Sequence, residues 1–210
     1  MTTGNKALFW HRRDLRTEDN AGLFKALSEN SSVVPVFIFD QTILNRLEKN
    51  DPRVSFIHQE LKALKDFYKS HGSDLLVYHG DPTELIPKIA GDLSCKKVFT
   101  NRDYEPYAIK RDRAVFENLK NKNIDFIGTK DHVVFEKNEV LKDNGTPYLV
   151  FTPYSKKWKT IFAQKYVPLF DSNKLLDRLC YASSSQKMLS LKDIGFEENR
   201  ILYPDKKISK

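Results

Sequence analysis

The chain has 210 residues, of which 40% are hydrophobic and 12% aromatic, and its formal net charge at pH 7 is +7. This apolar content excludes an intrinsically disordered protein and is sufficient for the core of one domain. The positive charge is mixed with acidic residues along the chain, so it is compatible with a polyanionic partner but does not identify one. No apolar run approaches the roughly 20 residues of a membrane span, and a membrane protein is excluded.

The cysteine content indicates the compartment. Cys95 and Cys180 have neither the spacing of metal ligands nor the number that a disulfide framework needs. The first residues do not have the pattern of a signal peptide. Together these observations predict a protein of the reducing cytoplasm.

Strands and helices are predicted to alternate over the first 128 residues. Short apolar runs, typical of buried strands, alternate with segments whose apolar residues recur at helical spacing. The predicted strands are 6–11, 33–39, 75–78, 97–101 and 124–127, and the helices between them begin near residues 20, 51, 81 and 106. This alternation predicts an α/β fold: a Rossmann-like, doubly wound, five-stranded parallel sheet in three α/β/α layers.

Two of these helices begin with an Asp-Pro pair. Asp51 and Asp81 can cap the first turn with a carboxylate, while the proline that follows each occupies the first helical position. In a doubly wound sheet, ligands bind beyond the carboxyl ends of the strands. We therefore expect the functional chemistry in the loops that follow the strands.

The pattern changes after residue 128. Segments 133–135 and 148–151 flank the turn-forming triplet 143–145, which predicts a β-hairpin. A helix is predicted over 153–166.

Trp158 in that helix lies between lysines, which suits contact with a nucleic-acid backbone. Its helical phase, shared with Ile161 and Phe162, instead favours a tryptophan that faces the core. From residue 169 the chain is polar and rich in serine and lysine, which is typical of a linker. The predicted organisation is a domain core over 1–130, a hairpin and helix that complete it over 131–168, and an inter-domain linker over 169–210.

The loop after the first strand has a high density of charged residues. It contains no glycine-rich phosphate-binding sequence. Arg12, Arg13 and Arg16 are interleaved with carboxylates, among them Asp14 and Asp19. These arginines could bind an anion at the end of the strand, or they could brace the loop through ion pairs.

Several motifs together resemble the photolyase and cryptochrome family. Each is weak evidence alone, but they keep the family's order and approximate spacing over residues 6–165. The motifs are Trp10-x-Arg12-x-Asp14-Leu15-Arg16 with Asp19-Asn20, Phe39-Asp40, Asp51-Pro52-Arg53, Gly80-Asp81-Pro82, Asn101-Arg102-Asp103-Tyr104-Glu105-Pro106-Tyr107 with Arg111-Asp112, Gly145-Thr146-Pro147-Tyr148, and Val150-Phe151-Thr152-Pro153-Tyr154 with Trp158.

The resemblance implies a light-driven flavoprotein with two domains. In the family, an N-terminal α/β domain carries a light-harvesting antenna chromophore, and a larger helical domain binds FAD. Electron transfer from reduced FAD splits pyrimidine dimers in DNA. The chain would then be the antenna domain of a deoxyribodipyrimidine photolyase, or the same domain of a cryptochrome blue-light photoreceptor.

The resemblance also sets expectations for the rest of the protein. The residues after 165 are too few and too polar for the FAD-binding domain, so these 210 residues alone are expected to be inactive. FAD and contact with damaged DNA would belong to the full-length protein, which we expect to be a monomer.

The antenna implied by the resemblance is 8-hydroxy-deazaflavin or a flavin. Relatives that bind methenyl-tetrahydrofolate have Asn and Glu where this chain has Tyr107 and Ala108, and the difference removes a carboxylate that would bind the pterin ring. Deazaflavin-type relatives bind through positions that match Phe37, Asp40, Arg53, Asp103 and Glu105. Arg12 and Asp14 of the first loop are further candidate cofactor contacts.

Other interpretations of these residues remain open. Arg53 could pair with Asp40 or Glu105 merely to anchor its helix. An adenine-nucleotide-binding α/β protein would share the sheet architecture, although the first and fourth loops lack a glycine-rich phosphate cradle. None of the five histidines belongs to a metal-binding pair, so no metal site is expected.

Overall fold

The computed structural model describes residues 5–182 and 185–199. A sheet of five parallel strands, in the order β3-β2-β1-β4-β5, forms its centre. The strands are β1 Lys6–His11, β2 Ser32–Asp40, β3 Leu76–Gly80, β4 Lys97–Asn101 and β5 Asp125–Thr129. The predicted five-stranded parallel sheet is confirmed, with small shifts at the strand ends.

Helices cover both faces of this sheet. The helices of the described residues are α1 Ala21–Glu29, α2 Gln41–Leu44, α3 Pro52–Ser70, α4 Pro82–Asp92, α5 Pro106–Lys120 and α6 Phe151–Phe162. Apolar residues of α1 and α3 pack on one face, and those of α4 and α5 pack on the other. The three-layer α/β/α arrangement is therefore confirmed.

The predicted helix caps form. The Asp51 carboxylate accepts a hydrogen bond from the Arg53 amide at 2.9 Å, and Asp81 accepts one from the Thr83 amide at 2.8 Å. Each such cap stabilises its helix by about 0.5–2 kcal/mol. The Asp-Pro starts thus fix where α3 and α4 begin.

Strand β2 shows how the two cores divide. Val33, Phe37 and Phe39 contribute to the core under α1 and α3, whereas Val34, Val36 and Ile38 contribute to the core under α4 and α5. Successive side chains of a strand point to opposite faces, so a central strand buried on both sides consists almost entirely of apolar residues.

The predicted β-hairpin is wrong. Its turn exists: the Gly145 amide donates to the Lys142 carbonyl at 2.9 Å, and Gly145 has φ of +78°. The flanking segments 133–135 and 148–151 are not strands. Leu149 and Val150 are 89% and 62% exposed, so no apolar face holds the two arms against the sheet.

Helix α6 also differs from its prediction. It spans Phe151–Phe162, and none of its residues is fully buried. Trp158 stacks on Phe162 with ring centroids 4.9 Å apart and meets Phe135 edge-on at 5.4 Å. Trp158 therefore has its predicted neighbour Phe162, but it belongs to a small aromatic cluster outside the main core.

Much of the segment assigned to a linker packs on the domain. Leu176, Leu179, Ile194 and Phe196 are buried in the core under α1 and α3. The Cys180 amide donates to the Val33 carbonyl at 2.8 Å, at the start of β2. Residues 183–184 and 200–210 of the predicted linker lie outside the described residues.

At the end of β1, the buried side chains of His11 and Tyr68 form a hydrogen-bonded pair in the core. His11 Nδ1 lies 3.0 Å from the Asp14 carbonyl, and His11 Nε2 lies 2.7 Å from the Tyr68 hydroxyl. Because a carbonyl can only accept, Nδ1 carries the proton and Nε2 accepts from Tyr68. Burial lowers the pKa of His11 and raises that of Tyr68 well above its ordinary value, so both groups are neutral.

No helix in the described part of the chain has both the length and the apolar character needed to cross a membrane.

The close approach of α1 to β4 predicts the effect of a single methyl group. A Cβ at Gly22 would lie 2.5 Å from Asn101 Oδ1 and 3.0 Å from the Phe9 ring. We expect Gly22→Ala to lower the free energy of unfolding by about 1–3 kcal/mol, measured by urea denaturation. The control is Gly91→Ala in α4, where a Cβ would meet no atom within 4 Å. Equal losses in the two variants would contradict this explanation.

Burial of neutral His11 predicts a pH-dependent stability. Its pKa in the fold lies below the ordinary value of 6.5, so between these two values the unfolded chain binds a proton that the folded chain does not. The free energy of unfolding therefore increases as the pH rises toward about 6.5, by at most about 1.4 kcal/mol per pH unit. We expect His11→Gln to remove this component of the slope in urea unfolding measured from pH 5 to 7.

The control for His11 is His79→Gln, because His79 is exposed on β3. This control measures the effect of the same substitution at an exposed position. An unaltered profile in His11→Gln would show that His11 does not carry the effect.

Candidate functional site

The centre of the sheet provides a crevice for a ligand. Strands β1 and β4 are neighbours, and the chain continues from β1 to β2 on one side and from β4 to β5 on the other. Such a reversal of strand order opens a gap at the carboxyl ends of the two strands. A cavity of about 540 Å³ lies there, between the loop after β1 and the loop after β4. Its volume falls within the range of small-molecule sites.

A buried polar network fixes the shape of the first loop. Asp14 Oδ1 accepts from the Arg12 amide at 2.9 Å, and Asp14 Oδ2 accepts from Asn101 Nδ2 at 2.6 Å and Asn20 Nδ2 at 3.1 Å. Asn101 Oδ1 accepts from the Gly22 amide at 2.9 Å. The network joins the loop after β1, the start of α1 and the end of β4, and it forms one wall of the crevice.

Two of the three loop arginines brace this wall. Arg12 Nη1 donates to both oxygens of Asp112 at 2.7 Å, and its Nη2 donates to the Asn101 carbonyl. Arg16 Nη2 donates to the two oxygens of Asp131 at 2.9 and 2.8 Å. For these two arginines, the bracing interpretation of the loop charges agrees with the structure.

Arg13 has a different environment. Its Nη1 donates to Glu105 Oε1 at 2.8 Å and lies 3.5 Å from Asp103 Oδ1, and all three residues line the crevice. The side chains of Arg13 and Glu105 are 59% and 64% exposed, whereas that of Asp103 is 11% exposed. Hydrogen bonding to Glu105 raises the pKa of Arg13.

Asp103 is ionised despite its partial burial. Burial alone would raise the pKa of Asp103, but the hydrogen bond from the Glu105 amide and the charge of Arg13 outweigh it and lower the pKa. The crevice therefore contains a fixed carboxylate that can accept hydrogen bonds from a ligand.

Asp40, at the end of β2, is held by α5. Its two oxygens accept from the Tyr107 hydroxyl at 2.9 and 2.8 Å, and Arg111 lies 3.6 Å away. Asp40 also caps α2, accepting from the Thr42 amide at 3.0 Å. Burial, together with the hydrogen bond to Asp40, raises the pKa of Tyr107 above its ordinary value, against an opposing contribution from Thr42. Tyr107, which stands where folate-type relatives have Asn, is thus the partner of Asp40.

The sequence-predicted site residues divide into separate groups. Asp14, Asp103 and Glu105 line the crevice, and Arg12 braces its wall. Phe37 is buried on the α1 and α3 face, edge-on to Phe39 at 5.1 Å.

Arg53 is not among the residues that line the crevice. It pairs with Asp51 at 2.6 Å, and its side chain is 70% exposed. It therefore does not anchor its helix by the Asp40 or Glu105 pairs considered from the sequence.

Sequence reasoning considered Arg13 and Arg16 only as anion ligands or braces of the first loop, and it missed His132. All three line the crevice together with the carboxylates. Arg13 occupies an unspecified position of the first motif, and His132 follows β5, so no spacing rule connects either residue with Asp103. Within residues 5–182 and 185–199, no group of His, Cys, Asp and Glu side chains could hold a metal ion.

Comparisons with known proteins agree on one family. Residues 7–171 match the family model described as DNA photolyase. The chain is 35% identical over 170 residues to a deoxyribodipyrimidine photo-lyase of a Synechococcus species, covering 81% of this chain and 35% of that protein. The chain thus spans about a third of the length of this curated relative.

Solved structures agree on the fold. A bacterial class III photolyase from Agrobacterium tumefaciens has a TM-score of 0.76 at 21% identity, over 92% of this chain and 38% of that chain. An archaeal photolyase from Sulfolobus tokodaii, described with two FAD molecules, has a TM-score of 0.66 at 23% identity, over 90% of this chain and 40% of that chain. The match over residues 7–171 shows that the chain belongs to the DNA photolyase family.

Proposed function

We propose that this chain is the light-harvesting N-terminal domain of a deoxyribodipyrimidine photolyase, an enzyme that uses blue light to repair pyrimidine dimers in DNA. The observation that carries the proposal is the family match over residues 7–171 on a domain with a formed crevice at the switch point of its sheet. Catalytic FAD and contacts with damaged DNA would belong to the part of the relatives that this chain does not span. A cytoplasmic location and a monomeric state stay predictions.

We propose that the crevice holds 8-hydroxy-deazaflavin or a flavin rather than methenyl-tetrahydrofolate. The chemistry of the lining fits a flat ring with polar edges: Asp103 and Glu105 offer carboxylate oxygens to the ring N3–H and to hydroxyls of the chromophore, and Tyr104 and Pro106 supply apolar surface. The Sulfolobus tokodaii structure is described as implying a novel light-harvesting cofactor, with two FAD molecules bound. When bound, such a ring would absorb light and pass the excitation energy to catalytic FAD.

Strand spacing relates the carboxylates to the other predicted contacts. Asp103 and Glu105 follow β4, Asp40 ends β2, and β1 lies between these strands. Two strand spacings amount to about 10 Å, which is comparable with the long dimension of three fused six-membered rings. A ring lying across the end of β1 would therefore reach from the carboxylates toward Asp40. Phe37, on the opposite face of β2, and Arg53 stay predicted contacts.

In this proposal, some polar residues of the first loop hold the wall of the crevice and do not contact the ring. Asp14 uses both carboxylate oxygens within the network, and Arg12 is paired with Asp112. We therefore assign to Arg12 and Asp14 the task of holding the wall of the crevice. Asp103 and Glu105 would orient the ring.

Removal of the carboxylate charges tests this assignment. The double variant Asp103→Asn/Glu105→Gln should weaken the binding of flavin mononucleotide (FMN) about tenfold, since hydrogen bonds to charged groups contribute about 1.5–3 kcal/mol and Glu105 is largely exposed. Quenching of flavin fluorescence measures the affinity. The control is Glu117→Gln, which removes a carboxylate paired with Arg113 on exposed α5 surface. Equal affinity in the double variant and the control would contradict the assignment.

The ring type has its own test. Fluorescence titration should show that the unmodified chain binds FMN or deazaflavin more tightly than methenyl-tetrahydrofolate. The structural reason is that Tyr107 and Ala108 stand where a folate-type site has an amide and a carboxylate. Folate binding that is equal or tighter would overturn the assignment of the ring.

The photolyase function is tested on the full-length protein with reduced FAD. Illumination with blue light should restore the pyrimidines of a dimer-containing oligonucleotide. If the pyrimidines are not restored while FAD is confirmed as reduced, the repair function is contradicted, and the cryptochrome alternative, which uses the same domain, takes its place.

A further inference from the structure

The three arginines of the first loop differ in how firmly they are held. Arg12 is 5% exposed and pairs with Asp112, and Arg16 pairs with Asp131, whose side chain is 3% exposed. Arg13 is 59% exposed, and its nearer partner Glu105 is 64% exposed. An exposed ion pair contributes about 0–1 kcal/mol. The Arg13 pair can therefore be exchanged for another partner at little cost, unlike the other two.

Arg13 also occupies the positions that a ligand would use. Its guanidinium lies 2.8 Å from Glu105 and 3.5 Å from Asp103, the two carboxylates offered to a ring. A flavin whose ring N3–H and ribityl hydroxyls bind these carboxylates displaces the guanidinium. Arg13 then remains beside the crevice with its donors free, and guanidinium donors match a phosphate group in a bidentate geometry.

We propose that Arg13 determines the specificity of this site by selecting a chromophore with an anionic, phosphate-bearing side chain. This inference rests on the proposed function, since it needs a flavin-type ring in the crevice. On binding, Arg13 leaves Glu105 and Asp103 and pairs with the ligand phosphate, while the ring N3–H and a ribityl hydroxyl take its place on the carboxylates. Without Arg13, the phosphate would face Asp103 and Glu105 with no exchangeable cation between them.

Two flavins that share one ring isolate this contribution. FMN and riboflavin differ only in the phosphate, so the ratio of their affinities reports the phosphate contact. We expect the unmodified chain to bind FMN about fivefold more tightly than riboflavin, as quenching of ring fluorescence shows. Arg13→Gln should bring the ratio close to one without weakening riboflavin binding, whereas Arg13→Lys should retain part of the preference.

The matched control is Arg113→Gln, because Arg113 forms an exposed ion pair with Glu117 within α5. This control should keep the full FMN preference, and higher ionic strength should reduce the preference in both the control and the unmodified chain. Equal affinity for FMN and riboflavin in the unmodified chain, or an FMN preference that persists in Arg13→Gln, would overturn the role of Arg13 while the proposed function stands. Failure of both flavins to bind would overturn the role of Arg13 together with the assignment of a flavin to the crevice.

Discussion

The buried carboxylate of Asp14 is the interaction on which the candidate site depends. It accepts hydrogen bonds from the Arg12 amide and from the side-chain amides of Asn20 and Asn101. A buried polar group left without its partner destabilises a fold by about 1–3 kcal/mol, so the three segments hold one another in place. The absence of a side chain at Gly22 belongs to the same arrangement, because it lets Asn101 reach the backbone of α1.

The ion pairs of this domain are of two kinds: buried pairs stabilise the fold, and exposed pairs are available for ligand binding. Lys65 and Asp74 form a pair at 2.7 Å with side chains 2% and 3% exposed, and the backbone amide of Gln186 also donates to Asp74, at 2.8 Å. Removing one partner of such a pair destabilises a fold by about 3–5 kcal/mol. This pair thus fixes α3 and the segment near residue 186. The pair of Arg13 and Glu105 is exposed, and its partners can be exchanged for those of a ligand.

The sheet was predictable because its physical causes are local. Buried parallel strands consist of apolar runs, and Asp51 and Asp81 cap helices through neighbours two residues away. The hairpin was mispredicted because a turn signal does not reveal whether the flanking arms have an apolar face to cover. The packing of residues 172–182 and 185–196 depends on a few isolated apolar side chains, such as Leu179 and Phe196, whose burial the overall composition of the segment does not reveal.

The candidate site was predictable in part. The rule that ligands bind at strand ends indicated its place in the fold, and the family resemblance indicated Asp103 and Glu105, which line the crevice. Strand alternation places Phe37 and Asp40, three residues apart, on opposite faces of β2, and this consequence could have been drawn from the sequence. The pairing of Arg13 with residues after β4 could not have been predicted from the sequence, because it depends on how two distant loops meet.

A crystal structure of this chain with bound FMN tests the central claim most directly, which is that the crevice between β1 and β4 is the antenna-chromophore site. The account predicts electron density for the flavin ring beyond the ends of these strands, with the ring N3–H and a ribityl hydroxyl on Asp103 and Glu105 and the phosphate near Arg13. A ring bound elsewhere on the domain, with the pair of Arg13 and Glu105 intact, would contradict it.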